Sequence, residues 1–393
     1  MEKVLIQDQF GLLAILMIIP AVIYAINNHT AWGKRFFGIV PPLVFAYFIP
    51  TILTSLGVIP DSSPIYSGIK TFVLPASLLL LTLAVDIKGI LKLGSKALIM
   101  FLSGTLGIVI GGPIVLLIYK SALPPDIWKG MAALAGSWIG GGANFIAIGQ
   151  SVGATDAMLG VMVIVDVLAA NILTGILFFL AGRSEKIDRR MGADNSAIYE
   201  LRDKVLHFQK KTNRIASTTD YFVLLAMAFG FSYIAYLLGN ALPDIGDIIS
   251  HSTWKVIIIT SIGVGLSFTP LKNYEGAGAS KLGTVMLYLL IGVIGASANL
   301  RAVFEYPALF AMAFTWLAIH LLILFLVMKL IKAPLFFMAV GSQANVGGAA
   351  SAPIVASAFH PALASVGVML GIAGYVLGTY AALICAKLLL LVS

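Results

Sequence analysis

Five polar side chains in strongly apolar surroundings are the residues of this sequence best suited to chemistry. They are an aspartate, three amides and a serine: Asp166, Asn144, Gln343, Asn345 and Ser137. Carboxylate and amide oxygens suit a hard cation that has lost its water. Asp166 lies near the middle of a cation-free apolar run, where an ionised carboxylate costs at least about 2.5–3.5 kcal/mol on membrane-insertion scales. We predict that Asp166 faces water or the protein interior and that the five residues bind an ion.

Each of these groups also has a structural interpretation. A protonated Asp166 would link two helices, and Ser137 would bond back to its own helix. Gln343 and Asn345 are two positions apart, so they become co-ligands only where their helix unwinds. His320, in the middle of another apolar run, is expected to be a hydrogen-bonded interior histidine.

Four of the five candidates lie in two stretches of matching composition. The first reads GSWIGGGANF from residue 136, and the second reads GSQANVGGA from residue 341. Each glycine costs a helix about 1 kcal/mol relative to alanine, and backbone groups freed in hydrocarbon must find partners in protein or in a wet cavity. Two interrupted apolar segments at corresponding places point to a transporter's binding site. The predicted substrate contacts there are Gly141, Gly142, Ser342, Gly347 and Gly348.

A third pattern closes two other apolar runs. LAVDIK ends one run at residue 88 and SANLR ends another at residue 301, so Asp86 and Asn299 are each followed by a cation two residues later. Asn299 is therefore a further candidate substrate contact. Two interfacial helix ends explain the pattern equally well.

The elements that must position these groups are membrane helices. Hydrophobic residues make up 60% of the 393 and charged residues 11%, whereas a soluble domain carries roughly a quarter charged residues. Apolar runs of about 20 residues recur along the chain, which is the length that crosses a bilayer core of roughly 30 Å. The sequence predicts an all-α polytopic protein of the inner or plasma membrane, surrounded by lipid, with about 11–13 transmembrane helices.

The charge pattern and the missing motifs exclude other classes. The net charge of +8 is concentrated between Arg183 and Arg214, where nine cations accompany five acids. Such a loop is typical of the cytoplasmic side and is not a nucleic-acid signal. The sequence has no zinc spacing, nucleotide-binding loop or Ser/His/Asp set. We therefore expect no enzyme, no cofactor and no metal site beyond one for sodium.

The apolar runs divide into two halves. They fall at about 9–27, 36–57, 68–85, 96–119, 130–151 and 155–181, and at about 220–239, 253–269, 281–299, 306–331, 334–358 and 362–392. We predict a first repeat over 1–181, a charged cytoplasmic linker over 182–219 with a short helix at Ile198–Phe208, and a second repeat over 220–393. Adding 205 carries Gly136 onto Gly341 and Thr174 onto Thr379.

The number of runs conflicts with the charges. Six crossings in each half predict parallel repeats, and a cytoplasmic linker then leaves five cations on the outside: Lys34, Arg35, Lys88, Lys92 and Lys96. Either one run is misassigned, with 220–269 the suspect region, or the count is eleven or thirteen.

The two interrupted stretches, together with Asp166, resemble a family of largely uncharacterised bacterial and plastid membrane proteins of unknown function. That family is grouped with the bile-acid:sodium symporters, the glutamate:sodium symporters and the cation:proton antiporters. The resemblance implies inverted repeats, a panel domain, and a core domain in which two discontinuous helices cross near the midplane. Asp166 matches the ion-binding carboxylate of the antiporters, but Val165 precedes it in place of a second polar residue. The Gln343 and Asn345 amides resemble the sodium sites of the symporters.

Three functions follow as hypotheses. The first is symport of a small organic anion coupled to sodium or protons by alternating access. The second is cation:proton antiport, and the third is a membrane scaffold that transports nothing. The sequence leaves open the substrate, the direction of transport, and whether the chain acts alone or as a homodimer.

Overall fold

The computed structural model describes residues 4–37, 42–83, 85, 90–91, 93–193, 198, 215–245, 250–297, 307–360 and 363–393. The secondary-structure elements within these ranges are helices joined by short turns and irregular segments. The helices are α1 Gln9–His29, α2 Ala31–Phe37, α3 Pro42–Ser55, α4 Pro64–Leu83, α5 Ser95–Tyr119, α6 Ile127–Ser151, α7 Asp156–Ala181, α8 Ser184–Met191, α9 Thr218–Ala241, α10 His251–Ser267, α11 Ala279–Ala296, α12 Ala308–Leu330, α13 Leu335–Val346, α14 Gly348–Phe359 and α15 Ala364–Val392.

Nine helices within these ranges are long and apolar enough to cross a membrane. They are α1, α4, α5, α6, α7, α9, α11, α12 and α15. Two shorter apolar helices, α3 with 14 residues and α10 with 17, lie between them in the chain. The prediction of an all-α polytopic membrane protein is confirmed. The predicted helix at Ile198–Phe208 falls almost wholly outside the described residues.

Helix α6 reverses direction in its middle. Gly141 has φ +76° and ψ −176°, a conformation essentially restricted to glycine. A Cβ on Gly136 would lie 2.8 Å from the Asn144 carbonyl oxygen, and one on Gly149 would lie 3.3 Å from the Ala133 Cβ. In a straight helix these pairs would be about 12 and 24 Å apart along the axis. The two halves of α6 therefore lie side by side, and we call this element hairpin 1.

Helices α13 and α14 form the equivalent hairpin 2, with Gly347 and Gly348 at its tip. Helix α13 runs parallel to α5, α14 runs antiparallel to α15, and α5 and α15 are parallel to each other. For α13 and α5, Gly341 packs against Met100 and Asn345 bonds Thr105. For α14 and α15, Gly367 packs against Ala352 and Gly371 against Ala349. For α5 and α15, Val109 accepts from Cys385 and Lys120 bonds Val392. The interruptions lie where the sequence predicts them, but each segment turns back instead of continuing across the bilayer.

The hairpins explain the conflict between helix number and charge. In the described part of the chain, each half has one hairpin that leaves on the side from which it entered. The crossings beside it are α1, α3, α4, α5 and α7 in the first half and α9, α10, α11, α12 and α15 in the second, with the shorter α3 and α10 counted as crossings and α6 not. Five crossings in each half make the halves inverted relative to each other. We call the side that holds the charged linker the linker side and the other the far side. Lys34, Arg35 and Lys96 then lie on the linker side, in agreement with the charge rule. The misassigned runs are 130–151 and 334–358, not the suspected region 220–269.

The helices pack in two groups. A scaffold group contains α1, α3, α4, α9, α10 and α11, and a core group contains both hairpins with α5, α7, α12 and α15. Contacts between the groups are few and involve mainly α4, α10 and α11 on the scaffold side. This is the core-and-panel arrangement that the resemblance implies.

Candidate functional site

The two hairpin tips lie against neighbouring turns of α15. A Cβ on Gly371 would lie 2.6 Å from the carbonyl carbon of Gly348, and one on Gly374 would lie 2.4 Å from the carbonyl oxygen of Ile139. Gly371 and Gly374 are three positions apart, which is about 4.5 Å along a helix axis. Hairpins that enter from opposite sides of the membrane therefore end at almost the same depth.

The tip of hairpin 1 faces the scaffold, and neither tip is tightly packed at its positive-φ glycine. A Cβ on Gly348 would meet no atom within 4 Å, and one on Gly141 would meet only Tyr375, at 3.5 Å. Gly142 faces Leu287 and Ile291 of α11, 3.7–3.8 Å from its would-be Cβ. Gly142 thus lies at the boundary between core and scaffold with Gly141 beside it, and Gly347 and Gly348 lie at the other tip, against α15. We take this boundary as the candidate site.

Helix ends give the candidate site its electrostatic character. The second halves of the hairpins begin at Gly142 and Gly348, and the first halves end at Gly140 and Val346. A helix N-terminus carries roughly half a positive charge and a C-terminus roughly half a negative one. The tips therefore offer places for an anion and for a cation at one depth.

Asp166 lies beside hairpin 1. Its carboxylate accepts hydrogen bonds from the Ser137 hydroxyl at 2.5 Å and from the Trp138 indole N–H at 2.9 Å. Both donors are buried, whereas Asp166 itself is partly exposed. A carboxylate has about four lone-pair sites, so acceptor capacity remains for a further ligand. Ser137 and Asp166, both predicted as ion ligands, are thus hydrogen-bonded to each other in the fold.

Gln343 has a polar atom without a protein partner. Its Nε2 donates to the Thr174 hydroxyl at 2.8 Å, and that hydroxyl donates to Ala170 at 2.8 Å, which fixes the orientation of the amide. The side chain is fully buried, and its Oε1 has no hydrogen-bond partner among the described residues. An unsatisfied buried acceptor costs about 1–3 kcal/mol. A bound cation near the end of α13 would remove that cost.

Asn144 and Asn345 do not fit the predicted ion-binding role. Each amide nitrogen donates to the carbonyl four residues earlier and to a carbonyl on a neighbouring helix. Each amide oxygen accepts a hydrogen bond from a threonine hydroxyl of that neighbouring helix. The threonine lies four residues after the residue whose carbonyl the amide nitrogen bonds. The partners are Gly140, Tyr375 and Thr379 for Asn144 and Gly341, Phe101 and Thr105 for Asn345. Both side chains are fully buried and hold the hairpins to α15 and α5, so we withdraw them as ligands.

Replacing either asparagine with alanine should destabilise the protein without changing its response to cations. Asn144→Ala or Asn345→Ala removes three hydrogen bonds of a buried side chain, each worth about 0.5–1.5 kcal/mol. Thermal unfolding of detergent-purified protein, with and without sodium, measures both effects. Asn171→Ala is the control, because among the described residues that side chain bonds only the Val167 carbonyl of its own helix. A lost sodium response at normal stability would restore the ligand assignment.

Ser342, another predicted substrate contact, is hydrogen-bonded to a buried histidine. The buried Ser342 hydroxyl lies 2.9 Å from Nε2 of His320, and Nδ1 of His320 lies 2.9 Å from the Gly104 carbonyl. Because a carbonyl only accepts, Nδ1 carries the proton and Ser342 donates to Nε2. His320 is the hydrogen-bonded interior histidine that the sequence predicts. Asn299, Asp86, Lys88 and Arg301 lie outside the described residues.

Several partners of the site were not singled out from the sequence. Trp138 donates to Asp166, and Thr174 and Thr379 bond Gln343 and Asn144. The two threonines are carried onto each other by the offset of 205, and each bonds the hairpin of the opposite repeat. Their common offset was the sequence feature from which these two threonines could have been chosen as site residues.

The charged linker is attached to hairpin 2. Asp188 of α8 accepts a hydrogen bond of 2.8 Å from the backbone N–H of Leu335, the first residue of α13. Burial raises the pKa of this carboxyl group above its ordinary value, and the hydrogen bond from Leu335 partly offsets that rise. The linker helix thus caps the element whose tip lies at the candidate site.

Changing the glycine at the tip of hairpin 1 should abolish function while the protein remains folded. Gly141→Ala must adopt a backbone conformation that costs about 1–3 kcal/mol outside glycine, and relieving it would move the tip. For the transport function that the sequence predicts, we expect at least a tenfold loss of transport at a normal elution volume in size-exclusion chromatography. Gly230→Ala is the control, since a Cβ there meets no atom within 4 Å. Undiminished transport by Gly141→Ala would separate the tip from function.

Comparison with known proteins gives a family without an assigned activity. The family described as "Protein of unknown function (DUF819)" matches residues 14–392. A protein described as "Uncharacterized membrane protein YjcL", from Bacillus subtilis (strain 168), is 25% identical over 396 residues, covering 95% of each chain. Because the family match covers nearly the whole sequence, the chain belongs to the DUF819 family of membrane proteins.

Proposed function

We propose that this protein is a secondary active transporter that carries a small organic anion together with sodium, or alternatively protons, by alternating access. The observation that carries the proposal is the meeting of two inverted hairpins, with broken tips, at one depth beside a scaffold. Paired broken helices of this kind line midplane sites in transporters. We also propose that the chain belongs to the wider superfamily that its sequence resembles. We place the linker in the cytoplasm, because the linker side holds most of the cations.

The proposed anion site is formed by the second halves of the hairpins. Their N-termini lie at Gly142, beside α11, and at Gly348, beside α15, and favour a carboxylate or a similar group. Tyr375, Leu287 and Ile291 supply the surrounding aromatic and aliphatic surface. A small organic acid with an apolar part fits this combination.

The proposed cation ligands are Asp166 and the Oε1 of Gln343. Asp166 lies on α7 and bonds hairpin 1, whereas Gln343 lies in hairpin 2 and bonds Thr174 of α7. Asp166 and Thr174 are eight positions apart, which is about 12 Å along the helix axis. Two separate cation positions therefore suit this geometry better than one. Neutralising Asp166 and satisfying Gln343 would each stabilise the arrangement in which the tips are occupied.

Movement between core and scaffold would give alternating access. On the far side the two groups are joined by a salt bridge between Lys70 of α4 and Asp156 at the start of α7. This contact must open when the core moves to expose the site to the far side. We therefore interpret the conformation described here as closed on the far side.

Uptake into vesicles tests the proposal. Purified protein is first screened for thermal stabilisation by sodium, lithium, potassium and a panel of small organic acids, because a ligand that binds the folded state raises its stability. Reconstituted vesicles are then loaded with or without a sodium or pH gradient, and entry of the stabilising acid is measured. The proposal requires accumulation that depends on a gradient. No stabilisation by any cation and no gradient-dependent entry would reject it.

Cation:proton antiport is the second candidate, and the partly exposed carboxylate of Asp166 in the middle of α7 favours it. It predicts that sodium, lithium or potassium alone changes the pH inside vesicles when no organic acid is present. Symport predicts no such change until the acid is added.

A further inference from the structure

A second ligand site lies on the far side, away from the hairpin tips. A cavity of about 530 Å³ separates α4, α9 and α10 and reaches the end of hairpin 1 at Gln150. Two lysines line it, Lys70 and Lys255, together with tyrosines and phenylalanines. Neither the hairpin tips nor the proposed cation ligands take part in it.

Polarity is ordered along the length of this cavity. Lys255 and Ser252 lie in the first turns of α10, at the end of the scaffold helices, and Tyr236 lies near the end of α9. Leu74 and Leu78 line the cavity further along α4, toward the middle of the membrane. Positive charge at the depth of the headgroups and apolar surface at the depth of the acyl chains match one end of a phospholipid.

The cavity opens toward lipid. Phe72 and Tyr233, which line it, are 63% and 62% exposed, and Phe229 is 43% exposed. Large apolar side chains with such exposure on membrane helices face the acyl chains. A ligand can therefore enter sideways from the bilayer.

The charge at the headgroup end is only partly balanced. Lys70 pairs with Asp156, whereas the Lys255 ammonium lies 4.7 Å from the ring centroid of Tyr236 and forms no salt bridge with a described residue. The stem of Lys255 packs against Gly239, where a Cβ would lie 2.5 Å from its Cγ. This contact holds the lysine in place, so an ordered positive charge faces the cavity.

We propose that this cavity binds an anionic phospholipid of the far leaflet, with the phosphate at Lys255 and Lys70 and an acyl chain along α4 and α9. Lipid chemistry is favoured over a soluble phosphate because most of the lining is apolar and opens to the bilayer.

Native mass spectrometry of the detergent-purified chain, titrated with phosphatidylglycerol and with phosphatidylcholine of the same acyl chains, tests this site. Each lysine near a lipid headgroup contributes about fivefold in affinity, so Lys255→Gln should weaken phosphatidylglycerol binding by about that factor. Lys70→Gln should weaken it as well. Asp156→Asn should strengthen it, because it releases Lys70 from its salt bridge. Lys120→Gln, an exposed far-side lysine bonded to Val392, should change nothing.

The opposite effects of Lys70→Gln and Asp156→Asn distinguish a charge effect from a loss of folding. Equal binding of phosphatidylcholine, or undiminished binding by Lys255→Gln, would overturn the proposal. Inorganic phosphate competing as well as phosphatidylglycerol would overturn the lipid assignment. The experiment measures binding without transport, so its result is independent of the proposed function.

Discussion

Asp166→Asn should abolish the dependence of uptake on the coupling ion while leaving the fold intact. The asparagine oxygen can still accept from the Trp138 indole N–H, and its NH2 group replaces the carboxylate oxygen that Ser137 bonds, where the Ser137 hydroxyl can accept instead of donating. It removes the negative charge, whose attraction for a cation about 4 Å away is about 4 kcal/mol at an effective dielectric constant of 20. Cation binding should therefore weaken by roughly two to three orders of magnitude. Thermal stabilisation by sodium, and uptake with and without a gradient, measure the loss.

Two further variants show whether the effect belongs to this site. Asp61→Asn replaces an exposed carboxylate on the far side and should leave coupling unchanged. Ser137→Ala removes one of the two donors and should give a smaller shift in cation affinity than Asp166→Asn. If Asp166→Asn couples normally, Asp166 is a structural link between α7 and hairpin 1 and has no part in ion movement.

Gln343→Met should eliminate one cation response and should not destabilise the ion-free protein. Methionine has a similar length and no oxygen, so it removes the buried acceptor that lacks a partner, a change worth about 1–3 kcal/mol in favour of the variant. The lost hydrogen bond to Thr174 offsets roughly 1 kcal/mol of that gain. The Thr174 hydroxyl keeps its bond to Ala170. We expect an unfolding temperature without sodium that is equal to or above that of the natural protein, and a reduced increase on adding sodium.

The direction of the stability change separates a binding role from a packing role. A side chain that only packs would lower the unfolding temperature when altered and would leave the sodium response unchanged. Gln150→Met, at the far-side end of hairpin 1, is the matched control and should keep the full sodium response. A destabilised Gln343→Met variant with normal sodium stabilisation would remove Gln343 from the cation site.

The class of protein and the positions of the helix interruptions were predictable from the sequence alone. Apolar length decides whether a helix crosses the bilayer, and glycine content decides where a helix is weak. Both are local properties, so the interruptions near Gly141 and Gly348 and the isolated carboxylate of Asp166 were predictable. The pairing of Thr174 with Thr379 by a common offset was also visible before the fold was known.

Only the tertiary structure decided the course of the interrupted helices and the hydrogen bonding of the amides. An interrupted helix can continue across the membrane or turn back, and the choice depends on the helix it packs against; here glycines of α15 admit the backbone of both tips. The same applies to the amides. Asn144 and Asn345 resemble Gln343 in sequence, but their partners Thr379 and Phe101 lie 235 and 244 residues away. Packing between such distant segments satisfies two of the amides and leaves the oxygen of the third without a partner, because hydrogen bonding depends on distances that the sequence does not contain.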